Sequence, residues 1–147
     1  MKIRKFQYLF IIGGSTDIGL KLSEELLKEK IIVLNFDLIE PNFKNKNYKF
    51  IKCDLSNPRD ALIIFEKTIK NLNIIKNIPS CLIYAARGRI NIENQSKNKI
   101  SEYERMMNIC LNSAVFISES FVNIAPNNSS IIYISSITSK FISDESL

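Results

Sequence analysis

The chain has 147 residues, of which 46% are hydrophobic, a size that fits one globular domain and is too short for two. Its net charge of +5 comes from 20 Lys and Arg scattered among 15 Asp and Glu, so we expect no nucleic-acid partner. The sequence contains no His, which excludes Ser-His-Asp chemistry and metal ligation by imidazole.

The apolar runs are too short to span a membrane, and residues 1–10 lack the cleavage pattern of a signal peptide. We therefore expect a cytoplasmic protein with no membrane partner. The cysteines Cys53, Cys81 and Cys110 are widely spaced and odd in number, which favours free thiols over disulfides or zinc ligands. No metal site is expected.

Short β-rich runs alternate with longer helical patterns along the chain, which is typical of βαβ units and a parallel sheet. The runs predict strands over residues 8–12, 31–36, 48–53, 81–85 and 130–134. Helical periodicity predicts helices over residues 17–30, 58–69 and 99–125. We therefore predict an α/β fold, a Rossmann-type doubly wound parallel sheet of about five strands in the order 3-2-1-4-5, with helices on both faces.

An apolar stripe on the third predicted helix indicates which side chains face the sheet. Its members, at alternating steps of three and four, are Tyr103, Met107, Cys110, Ala114, Ile117, Phe121 and Ile124. At about 100° per residue, Asn108 and Asn112 then lie on the side opposite Cys110. Other apolar side chains of this helix predict a second buried face, covered either by a partner subunit or by loops of the same chain.

A glycine-rich segment joins the first predicted strand to the first predicted helix. Gly13 permits a sharp exit from the strand, and Gly14, with the small Ser15 and Thr16, lets backbone amides approach a phosphate. Gly19 lets the helix pack tightly against the sheet, and the amino terminus of the helix favours an anion. The segment predicts a phosphate-binding loop, with a plain strand-to-helix turn as the alternative.

Asp37 follows the second predicted strand, roughly 20 residues beyond the loop. A carboxylate at this place accepts hydrogen bonds from both ribose hydroxyls of a dinucleotide, and it repels a 2′-phosphate. We therefore expect NAD(H) to be favoured over NADP(H). The alternative for Asp37 is a turn residue at a strand end.

Several segments, taken in chain order, resemble the short-chain dehydrogenase/reductase family. The family loop Thr-Gly-x-x-x-Gly-x-Gly corresponds to residues 12–19, and the family Asp at the end of strand three corresponds to Asp54. The family Asn-Asn-Ala-Gly corresponds to residues 84–87, of which only Ala86 agrees. Residues 107–114 resemble the fourth helix of the family, and residues 131–136 resemble the strand with its catalytic serine.

The resemblance implies one NAD(P)-binding Rossmann domain over residues 1–147. The residues expected to bind the dinucleotide are Gly13, Ser15, Thr16, Asp17, Ile18, Gly19, Asp37, Asp54, Leu55, Ala85 and Ala86. Two positions depart from the family. Asp17 replaces the middle Gly of the loop, where it can cap the helix but adds a negative charge near the pyrophosphate. Arg87 replaces the Gly of the strand-four motif, where it either contacts phosphate or fills space.

The resemblance also implies the catalytic groups. Ser136, with Ser135 as second choice, would polarise the substrate carbonyl, while a Tyr-x-x-x-Lys helix transfers the proton and an Asn holds a relay water. Cys110 occupies the Asn position, where a thiol is a poor replacement for an amide. Residues 137–147 contain no Tyr, and Lys140 is too close to Ser136 to replace the family Lys. We expect a C-terminally truncated member that is inactive alone.

Three functions remain open at this point. The first is hydride transfer between NAD(P)(H) and an alcohol or carbonyl, in a truncated enzyme. The second is a non-catalytic nucleotide-binding module, and the third is an interaction protein whose loop binds nothing. The expected partners are the dinucleotide and either a second copy of the chain or a complementing C-terminal fragment.

Overall fold

The structure is a computed structural model that describes residues 6–72, 78–88 and 99–135. Within these ranges, five parallel strands form one sheet in the order β3-β2-β1-β4-β5, which confirms the predicted topology. The strands are β1 (Tyr8–Ile12), β2 (Ile32–Asp37), β3 (Tyr48–Lys52), β4 (Ser80–Tyr84) and β5 (Ser130–Tyr133).

The helices are α1 (Asp17–Lys28), α2 (Pro58–Leu72), α3 (Lys99–Met107) and α4 (Ser113–Ile124). A π-helical turn, Asn108–Asn112, lies between α3 and α4, where the sequence predicted one uninterrupted helix. The first helix ends before residue 30 because Lys30 has a left-handed φ of +61°. The N–H groups of Glu29 and Lys30 bond back to the carbonyls of Leu26 and Leu27, which closes the last turn.

Helices cover both faces of the sheet. Side chains of each strand alternate between the two faces, so each face has apolar side chains that pack against helices. On one face, the ring of Phe10 in β1 packs against Phe65 of α2 and Phe121 of α4, with centroids 6.0 Å and 5.9 Å apart. On the other face, Leu26 and Leu27 of α1 belong to the same apolar cluster as Leu9, Ile11 and Val33. Burial on both sides explains the continuous apolar run of β1.

Candidate functional site

The carboxyl ends of the four strands β1 to β4 lie at one edge of the sheet. Ile12 is level with Phe36 on one side and with Tyr84 on the other, and Asp37 is level with Lys52. The segments that follow these strands contain the predicted dinucleotide-binding residues. The fold therefore brings the residues chosen from the sequence to the same edge of the sheet.

The turn after β1 is in direct contact with the turn after β4. Gly13 has φ +86°, and its N–H donates to the carbonyl of Phe36 at 2.9 Å. A Cβ at this position would lie 2.5 Å from Cα of Ala86. The N–H of Ala85 donates to the carbonyl of Ile12 at 2.8 Å, which fixes the two turns against each other. A glycine is therefore needed at residue 13 for both its backbone angle and its close approach.

The amides at the start of the loop bind to β2 instead of pointing to an open site. The Gly14 N–H donates to Oδ1 of Asn35 at 2.8 Å, and the Ser15 N–H donates to Oδ2 of Asp37 at 2.9 Å. The buried Asn35 thus already accepts the hydrogen bond of the Gly14 amide. The anion-binding donors of this fold are then the amides in the first turn of α1, which have no intrahelical acceptors.

Gly19 brings that first turn close to the loop. A Cβ at Gly19 would lie 2.1 Å from the carbonyl oxygen of Gly13 and 2.9 Å from Cα of Gly14. The close contact is thus with the backbone of the loop, whereas the sequence predicted a contact with the sheet. Ile18, the neighbouring residue of the same turn, is 62% exposed. The first turn of α1 therefore folds tightly onto the loop while its outer side stays accessible to a ligand.

Asn35 is a site residue that the sequence prediction missed. Its side chain is fully buried, and its Nδ2 donates to Oγ of Ser15 at 2.8 Å and to the hydroxyl of Tyr48 at 2.7 Å. Burial raises the pKa of Tyr48, so its hydroxyl keeps its proton at neutral pH. An amide within the otherwise apolar run of β2 was the signal that could have found this residue.

Asp37 is half-buried at the end of β2, and both of its oxygens accept hydrogen bonds. Oδ2 accepts from the Ser15 N–H, and Oδ1 accepts from the Leu38 N–H at 2.7 Å. Each carboxylate oxygen has a second lone pair, so the group can also accept from ribose hydroxyls. The donor amides in the first turn of α1 and this acceptor are therefore compatible with a dinucleotide, and the residues fit that ligand.

The turn after β3 is held by its own side chains and by the long helix. Oδ1 of the exposed Asp54 accepts from the N–H and the hydroxyl of Ser56, at 2.9 Å and 2.7 Å. The Ser113 hydroxyl donates to the carbonyl of the buried Leu55 at 2.8 Å, and Nδ2 of Asn108 donates to the Ser56 carbonyl at 3.0 Å. These bonds fix the position of the carboxylate that the family resemblance assigns to adenine.

The two departures from the family loop motifs bind each other. Asp17 has φ +49°, and its Oδ2 accepts from Nη2 of Arg87 at 2.9 Å. The N-cap of α1 is Thr16, which makes no side-chain capping bond, and Asp17 is the first residue of the helix. The Asp17 carboxylate joins the turn after β1 to the turn after β4.

The π-helical turn changes which residues of the long helix face the protein. Tyr103 is 63% exposed and Cys110 is exposed, so the prediction that both face the sheet is wrong. The extra residue of an i→i+5 turn shifts the phase of the helix, and Asn108 thereby reaches the turn after β3 instead of the opposite side. The Cys110 Sγ accepts from the Gly88 N–H at 3.2 Å, beside the turn after β4.

The serine candidates follow β5. Ser135 is exposed and comes directly after Ile134, whose N–H donates to the carbonyl of Tyr84 at 2.9 Å. Ser136 lies outside the described residues. The hydroxyl of Tyr133 donates to Oγ of Ser118 at 2.6 Å, which holds the end of β5 against α4. Ser135, the second choice, therefore lies at the same edge of the sheet as the other predicted site residues.

Neither a metal-binding cluster nor a membrane-spanning helix is found within the described ranges. No group of three or more His, Cys, Asp or Glu side chains there could hold a metal ion. None of the helices described is long and apolar enough to cross a bilayer. Burial raises the pKa of Cys53 to about 12 and that of Cys81 to about 11, so both thiols stay protonated at neutral pH.

Comparisons with known proteins agree with this geometry. The family model described as short chain dehydrogenase matches residues 7–145, whereas no curated protein matches the sequence. A short chain dehydrogenase family protein from Francisella tularensis is 25% identical with a TM-score of 0.66, over 95% of this chain and 54% of that one. A short chain dehydrogenase from Leptospira borgpetersenii with bound NAD+ is 23% identical with a TM-score of 0.75, over 95% of this chain and 55% of that one.

Aldohexose dehydrogenase from Thermoplasma acidophilum, in ligand-free form, has the same fold, with 21% identity and a TM-score of 0.76 over 96% of this chain and 53% of that one. The chain therefore spans about half the length of these three solved structures. The family match extends over nearly all of the sequence and over every strand of the sheet. The chain belongs to the short-chain dehydrogenase/reductase family of oxidoreductases.

Proposed function

We propose that this chain is the nucleotide-binding part of an oxidoreductase that transfers hydride between NAD(H) and an alcohol or carbonyl. The observation that supports the proposal best is the 2.9 Å hydrogen bond from the Ser15 amide to the Asp37 carboxylate, which joins the loop after β1 to the end of β2. Among the structural relatives, the Leptospira protein has bound NAD+ and ElxO Y152F has bound NADPH. Both support a nicotinamide dinucleotide as the ligand.

The proposed binding residues divide between the parts of the dinucleotide. The first turn of α1, with Thr16, Ile18 and Gly19, would bind the diphosphate through main-chain amides. Asp37 would accept hydrogen bonds from the adenosine ribose, and its charge favours NAD(H) over NADP(H). Asp54 and Leu55 would contact the adenine, with Ala85 and Ala86 beside the ribose. When bound, the nicotinamide supplies the hydride chemistry.

The proposed catalytic group is Ser136, with Ser135 as second choice, which would polarise the substrate carbonyl. Residues 137–147 contain no Tyr, and Cys110 occupies the position of the family Asn. We therefore expect that these 147 residues, proposed as one Rossmann domain, bind NADH without turning over a substrate. A complementing C-terminal fragment or a second copy of the chain is the proposed protein partner.

The experiment that tests this proposal is a titration of the purified chain with NADH and with NADPH, followed by cofactor fluorescence. We expect saturable binding with the lower Kd for NADH. Asp37→Asn should weaken NADH binding and narrow the NADH to NADPH preference, because the charge that repels a 2′-phosphate is lost. Glu119→Gln is the matched control, since Glu119 is exposed on α4 and is not part of the site. Absence of NADH binding at millimolar concentration would refute both nucleotide-dependent functions.

A non-catalytic nucleotide-binding module is the second candidate function. It is favoured by the thiol of Cys110, which accepts a hydrogen bond from the Gly88 amide where the family has a carboxamide. The two candidates differ in whether the bound dinucleotide reacts. If the chain is part of an enzyme, co-expression with a segment that contains a Tyr-x-x-x-Lys helix should produce NADH oxidation in the presence of a carbonyl compound. If NADH binds and no oxidation follows, the module is favoured.

A further inference from the structure

An ion pair between Asp17 and Arg87 joins two turns that are far apart in the sequence. Nη2 of Arg87 lies 2.9 Å from Oδ2 of Asp17, across a separation of 70 residues. The side chain of Arg87 is 62% exposed and that of Asp17 is 51% exposed, so neither is fixed by burial. The same two turns touch at Gly13 and Ala86, which holds the main chains of both ion-pair partners near each other.

Asp17 has a place and a conformation that require an explanation. It is the first residue of α1, so its carboxylate lies beside the amides that are proposed to bind a diphosphate. Its φ of +49° is a left-handed angle that only Gly adopts freely, although Asp and Asn tolerate it. A carboxylate at this position repels a second anion, whereas the amides and the helix dipole attract one.

Arg87 supplies the opposite charge at this point. Its guanidinium is a cation with five N–H donors in a planar group. The Asp17 carboxylate is the acceptor that it meets among the described residues. The two opposite charges therefore offset each other at the first turn of α1, where the main-chain amides attract an anion.

We propose that Arg87 is a positioning residue of the dinucleotide site, which cancels the charge of Asp17 where the diphosphate of NAD(H) binds. The proposal rests on the proposed function of the site. Loss of Arg87 removes this positive charge from beside Asp17, so the carboxylate should repel the diphosphate more strongly. Where the two family motifs have glycines, this chain thus has two side chains of opposite charge.

The test is a double-mutant cycle on ligand affinity with Asp17→Asn, Arg87→Gln and the combined variant. Asn preserves the tolerance for the left-handed φ, and Gln removes the charge of Arg87 while keeping much of its length. We expect Arg87→Gln to raise the Kd for NADH and for ADP about fivefold, the size typical of a half-exposed charge interaction. The Kd for adenosine, which has no phosphate, should not change.

The combined variant should return the Kd for NADH to within about twofold of the unsubstituted chain, because neither charge is left alone. Arg87→Lys, which keeps the positive charge, should do the same. The fivefold effect should shrink in 0.5 M NaCl, since exposed charges are screened. All variants should unfold within about 4 °C of the unsubstituted chain, since an exposed pair contributes little to stability.

Two results would overturn the inference while leaving the proposed function in place. One is a combined variant that binds NADH as weakly as Arg87→Gln alone. The other is an equal loss of affinity for adenosine and for NADH, which would indicate a purely structural role. If the unsubstituted chain binds NADH, ADP and adenosine in none of these titrations, both the inference and the proposed function fail.

Discussion

The main-chain N–H of Gly14 donates to Oδ1 of Asn35 at 2.8 Å, and both groups are buried. This bond ties the second glycine of the loop to the middle of the adjacent strand. The Nδ2 group of Asn35 donates to Ser15 and to Tyr48. Both N–H hydrogens and the oxygen of the Asn35 side chain therefore have partners. The shape of the loop is thus set from inside the sheet before any ligand arrives.

Replacement of Asn35 by Ala should destabilise the chain and weaken NADH binding. The change leaves the buried Gly14 N–H without its acceptor and removes the bonds from Nδ2 to Ser15 and Tyr48, which costs about 2 to 3 kcal/mol. Urea unfolding followed by circular dichroism measures this loss. The matched control is Asn123→Ala, because Asn123 is exposed on α4. Equal unfolding free energies for the two variants would show that the network does not support the loop.

Replacement of Gly13 by Ala should be more damaging than the same change at Gly88. At Gly13 the new Cβ meets main-chain atoms of Ala86 at 2.5 Å, and φ is +86°. At Gly88 the nearest atom would be Cγ of Met106 at 3.3 Å, at the end of a flexible side chain. We expect a loss of about 2 kcal/mol or more for Gly13→Ala, and below about 1 kcal/mol for Gly88→Ala. Thermal unfolding of both variants provides the comparison, and similar melting temperatures would contradict it.

The stability of the chain should fall at alkaline pH because of Cys53. Burial, with a smaller contribution from the carboxylates of Asp54 and Asp37, raises the pKa of this thiol from 9.0 to about 12. Below pH 9 the thiol is protonated in the folded and the unfolded chain, and its contribution is constant. Between pH 9 and 12 only the unfolded chain loses the proton, so stability falls by up to about 1.4 kcal/mol per pH unit.

Urea unfolding at several pH values from 8 to 10.5 measures that slope. Cys53→Ala should reduce it, because the titrating group is gone, whereas Asn123→Ala should keep the slope of the unsubstituted chain. An unchanged slope in Cys53→Ala would mean that other groups with raised pKa values in the folded chain, such as the thiol of Cys81, cause the alkaline loss.

The sheet and its loop could be predicted from the sequence because their signals are local. The apolar run of β1 has the predicted bounds, and the glycines that follow it lie in the turn between β1 and α1. The partners of the loop could not be predicted in the same way. The Asp17 to Arg87 pair spans 70 residues, and no local pattern indicates which side chains of two separate turns will meet.

The long helix shows a different limit of sequence reasoning. A helical wheel assumes the same rotation at every residue, and the π-helical turn at Asn108–Asn112 violates that assumption. On the C-terminal side the expected stripe is right, since Ala114, Ile117 and Phe121 are buried. On the N-terminal side it fails at Tyr103, which is exposed. Residues of the interruption contact the turns after β3 and β4, which lie far away in the sequence.

Tyr84 provides a test of what holds the π-helical turn in place. Its buried hydroxyl donates to the main-chain carbonyl of Ile109 within that turn. Tyr84→Phe removes the donor and should cost about 1 kcal/mol of unfolding free energy, with the carbonyl left unpaired. Tyr103→Phe is the matched control, since Tyr103 is 63% exposed on α3, just before the π-helical turn. This variant should change the unfolding free energy little. If urea unfolding gives the same free energy for both variants, the hydroxyl of Tyr84 does not stabilise the turn. The contacts of Asn108 and Ser113 with the loop after β3 would then be sufficient to hold the π-helical turn in place.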